Sequence, residues 1–206
     1  MPQVHRKGRP PERDRADIVH AARTVAVERG FDSLRFVDVS RATGVPVSSL
    51  QYAFGTRDAL VREVLQAGVD DELRRLKGAM ERELDPWKRI QRFIRAGISV
   101  DDQDRREGWL LWIEYWRAAL RDPQLRDDYA RVAQAWRGMV RRAVQDGVLL
   151  GQFVFEGSAE EAAAAIVAVV DGLGLQVEVG DSGMRVARAI RTANRACAQI
   201  LGVRGR

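Results

Sequence analysis

The sequence predicts an all-α protein, with a small N-terminal three-helix domain joined to a larger helical one. Three observations predict it. Apolar residues recur at three- and four-residue spacing in nearly every segment between breakers. Helix-terminating signals fall between those segments, among them the repeated Asp85-Pro86 and Asp122-Pro123, each a capping carboxylate ahead of a proline suited to the first helical position. No alternating stretch is long enough for a sheet: Gln152-Phe153-Val154-Phe155 is too short to build on.

Taken in order, residues 1–14 form a basic arm containing His5, Arg6, Lys7 and Arg9. A first helix is expected over 15–29, with Ile18, Ala22 and Val25 inward, ended by Gly30, after which Phe31 folds back. A second, short helix carries Val39. Gly44 then stands between two short amphipathic segments, where a sharp turn lets the second of them enter a DNA major groove. That third helix spans 46–54. Val45, Leu50 and Phe54 fall on its apolar side, leaving Pro46, Val47, Ser48, Gln51 and Tyr52 outward. Residues 15–60 therefore read as a helix-turn-helix domain, and 61–206 as the larger domain.

Thr56 caps a long helix in which Val61, Leu65, Val69, Leu73, Leu76 and Met80 make the stripe. After Pro123, Leu125, Tyr129, Val132, Trp136, Met139 and Ala143 form a seam suited to packing against another helix. The helix over 159–179 is apolar all round from 162 to 170, so both of its sides should be buried. One side can pack in its own protomer; the other needs a partner, most simply a second copy, with Trp136, Ile166, Val170 and Leu173 as expected interface residues. Asp171, which interrupts this helix, is expected in a buried salt bridge or an interface contact. The last helix carries Val186, Ile190, Ala193, Cys197 and Ile200 on one stripe, so the single cysteine reads as a buried structural thiol.

Composition excludes several classes. The apolar run at 162–170 is too short for a membrane span, and the N-terminus lacks the apolar segment of a secretory signal, so a cytoplasmic location is expected with no membrane partner. Both histidines, His5 and His20, lie in the N-terminal end, which removes Ser-His-Asp, Cys-His and histidine-rich metal sites from the larger domain. No HExxH, GxGxxG or GxxxxGK[ST] occurs. Asp101-Asp102 point apart on a helix and read as a solvated turn. No enzyme, cofactor or metal is expected. Residues 1–62 hold 11 Lys/Arg against 7 Asp/Glu, whereas 63–206 hold 23 against 22, so the positive excess sits at the end expected to meet phosphates.

Ala21-Ala22, Gly30-Phe31, Val39, Gly44-Val45, Leu50, Phe54 and Leu60 occur in an order that resembles the DNA-binding domain of the TetR family of bacterial transcription regulators. The resemblance implies a homodimer that places two recognition helices on a palindromic double-stranded operator, with repression relieved by a small-molecule effector. An effector-independent DNA-binding dimer and an activator are the alternatives. It implies DNA contacts by Pro46, Val47, Ser48, Ser49, Gln51 and Tyr52. Arg57 is expected near phosphate, and Arg35 could reach one while leaving the second helix poorly capped. Gln51, Ala53 and Arg35 depart from the family pattern. Gln51 can offer a bidentate amide to adenine, Val47 can pack on a thymine methyl, and Tyr52 can donate to phosphate. The arm over 5–11 either lies along DNA or is a solubilising tail.

The resemblance also places the effector site in the larger domain. There Trp109, Trp112 and Trp116 share a helix face, with Tyr115 on the neighbouring side. These rings read as pocket wall or as core. If they are wall, the effector is apolar or aromatic, with Glu114, Gln103 and Gln176 as candidate polar groups and Glu114 able to neutralise a cation.

Overall fold

The structure, a computed structural model, describes residues 12–98 and 102–203, with side chains for 15–98 and 107–203. The basic arm over 5–11, Asp101 and the side chains of Asp102 and Gln103 therefore lie outside what it describes. Nine α-helices and no strand occur among the described residues: α1 (Glu12–Arg29), α2 (Phe36–Thr43), α3 (Val47–Phe54), α4 (Arg57–Glu81), α5 (Pro86–Ile98), α6 (Asp102–Ala119), α7 (Pro123–Leu149), α8 (Ala159–Glu178) and α9 (Val186–Ile200). The expected caps form. Thr56 Oγ1 accepts from the amide of Ala59 at 3.1 Å, Asp85 from Lys88 at 3.0 Å and Asp122 from Gln124 at 2.9 Å. Ser158 and Glu161 close a reciprocal capping box at the start of α8.

The chain divides into two compact units, the first made of Met1–Val69 with Leu110–Leu125, the second of Asp70–Trp109 with Arg126–Arg206. The first unit thus takes in more than the expected 15–60: it includes the start of α4 and the C-terminal half of α6. Its core is Ile18, Ala22, Ala26, Phe31, Leu34, Val39, Leu50 and Leu60, joined by Val64, Leu111 and Tyr115. Burying each such side chain contributes about 1.5–3 kcal/mol before the entropy of ordering is charged against it.

The second unit packs α8 and α9 against each other and both against α5. Ile90, Phe93, Ile94 and Ile98 of α5, Ile166 and Val170 of α8 and Ala189, Ala193 and Cys197 of α9 are all buried, and Val170 lies against Gly97 of α5. The ring of Phe93 stands edge-on to Trp136 of α7, with centroids 5.8 Å apart. Burial pushes the Cys197 thiol up to about 12, which leaves it un-ionised and inert.

Candidate nucleic-acid interface

The turn between α2 and α3 is built from three residues. Gly44 takes φ 72°, a left-handed conformation that side chains with a Cβ rarely adopt, and its amide donates to Ser40 O at 2.9 Å. Thr43 Oγ1 donates to Val39 O at 2.8 Å and accepts from the amide of Val45 at 3.2 Å, closing the carbonyls and amides the turn would leave open. Beyond the turn, Leu50 and Phe54 of α3 are buried. Arg15 of α1 clamps the end of α3. Its guanidinium lies 4.2 Å from the Phe54 ring centre, donates to Ala53 O at 2.8 Å and binds Glu63 of α4 through Nε at 2.7 Å. Sequence reading did not single out Arg15, because nothing local marks a partner 48 residues away.

One side of α3 is thereby fixed and the other is free. Pro46, Ser48, Gln51 and Tyr52 are exposed, Tyr52 by 65%, while Val47 and Ser49 are half-buried. An amide, a phenol and a hydroxyl on a rigid helix can donate and accept at base edges and phosphates. Arg41, with 70% of its side chain exposed, adds a cation one turn before Gly44 and, among the described residues, pairs with Asp38 at a long 3.4 Å.

Two arginines expected near phosphate also hold backbone carbonyls of their own unit. Arg57 donates to Leu34 O at 3.0 Å and Phe31 O at 2.5 Å and pairs with Asp58 at 2.9 Å. Its guanidinium satisfies carbonyls left open between α1 and α2 and so anchors the start of α4 to that turn. Arg35 stays exposed, yet its Nη1 is committed to Asp32 O and Leu34 O at 2.8 and 3.0 Å, and its side chain does not cap α2.

The aromatic helix does not act as one group. Trp109 belongs to the second unit, and Trp112, Tyr115 and Trp116 to the first. Tyr115 is fully buried in the first unit, and its hydroxyl donates to Leu125 O at 3.3 Å. Trp112 lies 5.9 Å from Tyr115 and 6.0 Å from Trp116, centre to centre. Glu114 accepts from Arg117 Nε at 2.8 Å, so its charge is already matched within α6. The same Arg117 reaches Asp32, in the turn before α2, at 2.8 Å. That hydrogen bond and its charge hold the Asp32 carboxyl below the usual range. Burial pushes Asp122 up, but the hydrogen bond from Arg62 and the amide of Gln124 outweigh it and hold that carboxyl low. These pairs tie α6 and the start of α7 to the helix-turn-helix within the first unit.

The expected interface residues are also repositioned. Trp136, Ile166 and Val170 are buried in their own chain, Val170 against Gly97 of α5, and Leu173 is half-buried. The most apolar side of α8 is the one its own unit needs. The side left outward carries Ala164, Ala168, Gly172, Leu175 and Val179. Gln176 is outward as well. Among the described residues, no cluster of His, Cys, Asp or Glu could hold a metal ion, and no helix is long and apolar enough to cross a membrane.

Comparison with known proteins agrees with this geometry. Residues 18–64 match the model for bacterial regulatory proteins of the tetR family, and residues 86–202 match that for the C-terminal part of BetI-type transcriptional repressors. A comparison with curated proteins gave no match. Among solved structures, a transcriptional regulator from Saccharomonospora viridis in complex with choline is similar at TM-score 0.81 and 23% identity, over 90% of this chain and 95% of that one. A TetR-family regulator from Rhodococcus sp. is similar at TM-score 0.73 and 24% identity, over 89% and 96%. The reduced form of NemR from E. coli is similar at TM-score 0.73 and 16% identity, over 92% and 97%.

Proposed function

The chain belongs to the TetR family of bacterial transcription regulators, DNA-binding proteins with a C-terminal ligand-binding domain, and on that premise we propose that it is a homodimeric repressor released from a palindromic operator by a small molecule. The observation that carries this reading is the division of α3 into a buried side, Leu50 and Phe54 under the Arg15 clamp, and an exposed side of Ser48, Gln51 and Tyr52. A rigid helix presenting hydrogen-bonding groups outward suits a major groove. Two-fold symmetry then calls for half-sites about 10 bp apart or a small multiple of that.

The outward side of α8 supports the dimer. Alanine and glycine at 164, 168 and 172, with Leu175 and Val179 beyond, allow close approach of a second helix, and apolar surface of this kind is best covered. The choline complex of the S. viridis relative supports a small-molecule ligand for a domain of this type. The pairs Arg117–Asp32 and Arg62–Asp122 supply a route for release. A shift of α6 that moves Arg117 also moves the turn ahead of α2. A useful response needs a ligand preference between two states of only about 1–3 kcal/mol.

Selection of bound DNA from a random pool by the full-length protein tests the reading. The expected result is a palindromic motif whose affinity falls when an effector from a small-molecule panel is added. Retention of unrelated sequences with no shared motif would overturn it.

A further inference from the structure

Resting on the reading of an operator-binding regulator, we propose that Arg29 of α1 and Arg41 of α2, drawn together by Asp38, form a binding site for one phosphodiester of the DNA backbone in each half-site.

Convergence is the first ground. Asp38 lies in the first turn of α2, with 11% of its side chain exposed. Arg29 Nη1 donates to its Oδ1 at 2.7 Å, and Arg41 Nη1 donates to the same oxygen at 3.4 Å. Two guanidinium groups from two helices therefore meet at a single carboxylate oxygen. Arginine stays protonated, so one negative charge faces two positive ones and a positive charge is left over. Like charges held this close repel, and a second anion relieves that repulsion. Both groups still face solvent, with 56% of the Arg29 side chain and 70% of the Arg41 side chain exposed. Among the described residues each gives one N–H to Asp38, which leaves the rest of its planar fork of donors open. A phosphodiester brings one negative charge, equal to the surplus, and two unbridged oxygens, one for each guanidinium.

Placement is the second ground. α1, α2 and α3 lie in the first unit, and α2 packs on both of the others. In a helix-turn-helix the helix ahead of the recognition helix crosses the sugar-phosphate backbone. Here that helix is α2. Its side opposite the buried Val39 carries Val37 and Arg41, one turn apart, and both are exposed. The described residues thus leave this side of α2 open. Other arginines of the first unit are held more firmly. Arg15 meets Glu63 and Ala53 O, Arg57 meets Leu34 O, and Arg62 meets Asp122, all at 3.0 Å or closer. Arg29 alone satisfies the Asp38 oxygen, and an exposed ion pair at the longer distance of Arg41 adds little to the fold. Arg41 is therefore the cation best able to turn to a new partner without loss to the domain.

The test measures binding of full-length protein to its selected operator across a series of salt concentrations. Arg41→Gln and Arg29→Gln should each reduce the slope of log affinity against log salt by about 1 per half-site and weaken binding roughly 10-fold, evenly across sequences. Their effects should be equal, because either loss leaves the remaining arginine neutralised by Asp38. Arg41→Lys keeps the charge and should keep the slope. Arg191→Gln removes the same charge from the exposed side of α9, in the second unit, and should change nothing. Circular dichroism reports the fold of each, and the two single variants test one site independently, so if one failed to fold the other would decide. An unchanged slope in the folded variants overturns the proposal, as does a drop for one arginine and not the other. An equal drop in Arg191→Gln also overturns it, since net charge would then be the cause. Calorimetry with inorganic phosphate separates the remaining source. Phosphate binding that Arg41→Gln removes, with operator affinity kept, would assign the pair to a free anion and not to DNA. In each of these outcomes the wild type keeps its operator and the regulator reading stands. If the wild type shows no salt-dependent DNA binding, that reading fails and this inference fails with it.

Discussion

Helices α3 and α8 each leave one side uncovered by their own unit, and the two sides have opposite chemistry. α3 turns Leu50 and Phe54 inward and shows Ser48, Gln51 and Tyr52 to solvent. α8 turns Ile166 and Val170 inward and shows Ala164, Ala168, Gly172, Leu175 and Val179. The first surface is rich in donors and acceptors and stays hydrated until it meets another polar surface. The second has little to offer water and suits close helix packing. In both helices the largest apolar residues serve the chain's own core. The partner surface is made by what remains, and in α8 the remainder is small.

The comparison can be broken most severely on α8. Ile166→Asp places an unpaired charge at a position with no solvent exposure, and should cost more than about 4 kcal/mol and unfold the second unit. Ala168→Glu, on the outward side of the same helix, should leave the circular dichroism spectrum unchanged and give about half the dimer mass on sedimentation. A folded monomer from Ile166→Asp would mean that the inward and outward sides of α8 had been assigned the wrong way round.

A middle-sized effect sharpens the border between those sides. Asp171 has a raised carboxyl in the folded chain, about 6 against 3.8 for the free side chain. Between those values the folded state keeps a proton the unfolded state has lost. Stability contributed here is therefore whole below pH 3.8 and falls as pH rises to about 6, by roughly 2–3 kcal/mol at most. Urea unfolding across that range should show the decline in wild type, and Asp171→Asn should remove it. An unchanged slope in the variant would show that the carboxylate is better solvated than its burial indicates.

The smallest effects are expected on α3. Gln51→Ala should relax preference at one operator position, at a cost of roughly 1–3 kcal/mol. Tyr52→Ala should weaken all sequences about evenly. Identical selected motifs and affinities for both variants and the parent would show that this face of α3 does not touch DNA.

Much of the fold was legible because its signals are local. Thr56, Asp85 and Asp122 cap the helices that follow them because a short side chain reaches the amide two or three residues on, whatever the rest of the chain does. Gly44 marks its turn for the same reason: the required φ belongs to one residue. The outward residues of α3 followed from the position of Leu50 and Phe54 on an eight-residue helix that has room for only one buried side. The contacts that the sequence does not show are those that depend on distant partners. Arg57 has the charge and position of a phosphate ligand, but Leu34 and Phe31 offer it carbonyls 23 and 26 residues away in sequence. Tyr115 sits among tryptophans as a pocket residue would, yet Leu125 O takes its hydroxyl inside the core.

What the sequence by itself determined is therefore the set of helices, their ends and the helix-turn-helix, all governed by torsion, capping and spacing within a few residues. Only the tertiary structure decided which way α8 faces and which charges remain unmatched. A helix that is apolar all round has no inside until a neighbour chooses one. Here Gly97 of α5 lies against Val170 and Trp109 of α6 against Gly174. That choice left Asp171 half-buried, its carboxyl raised to about 6 by burial.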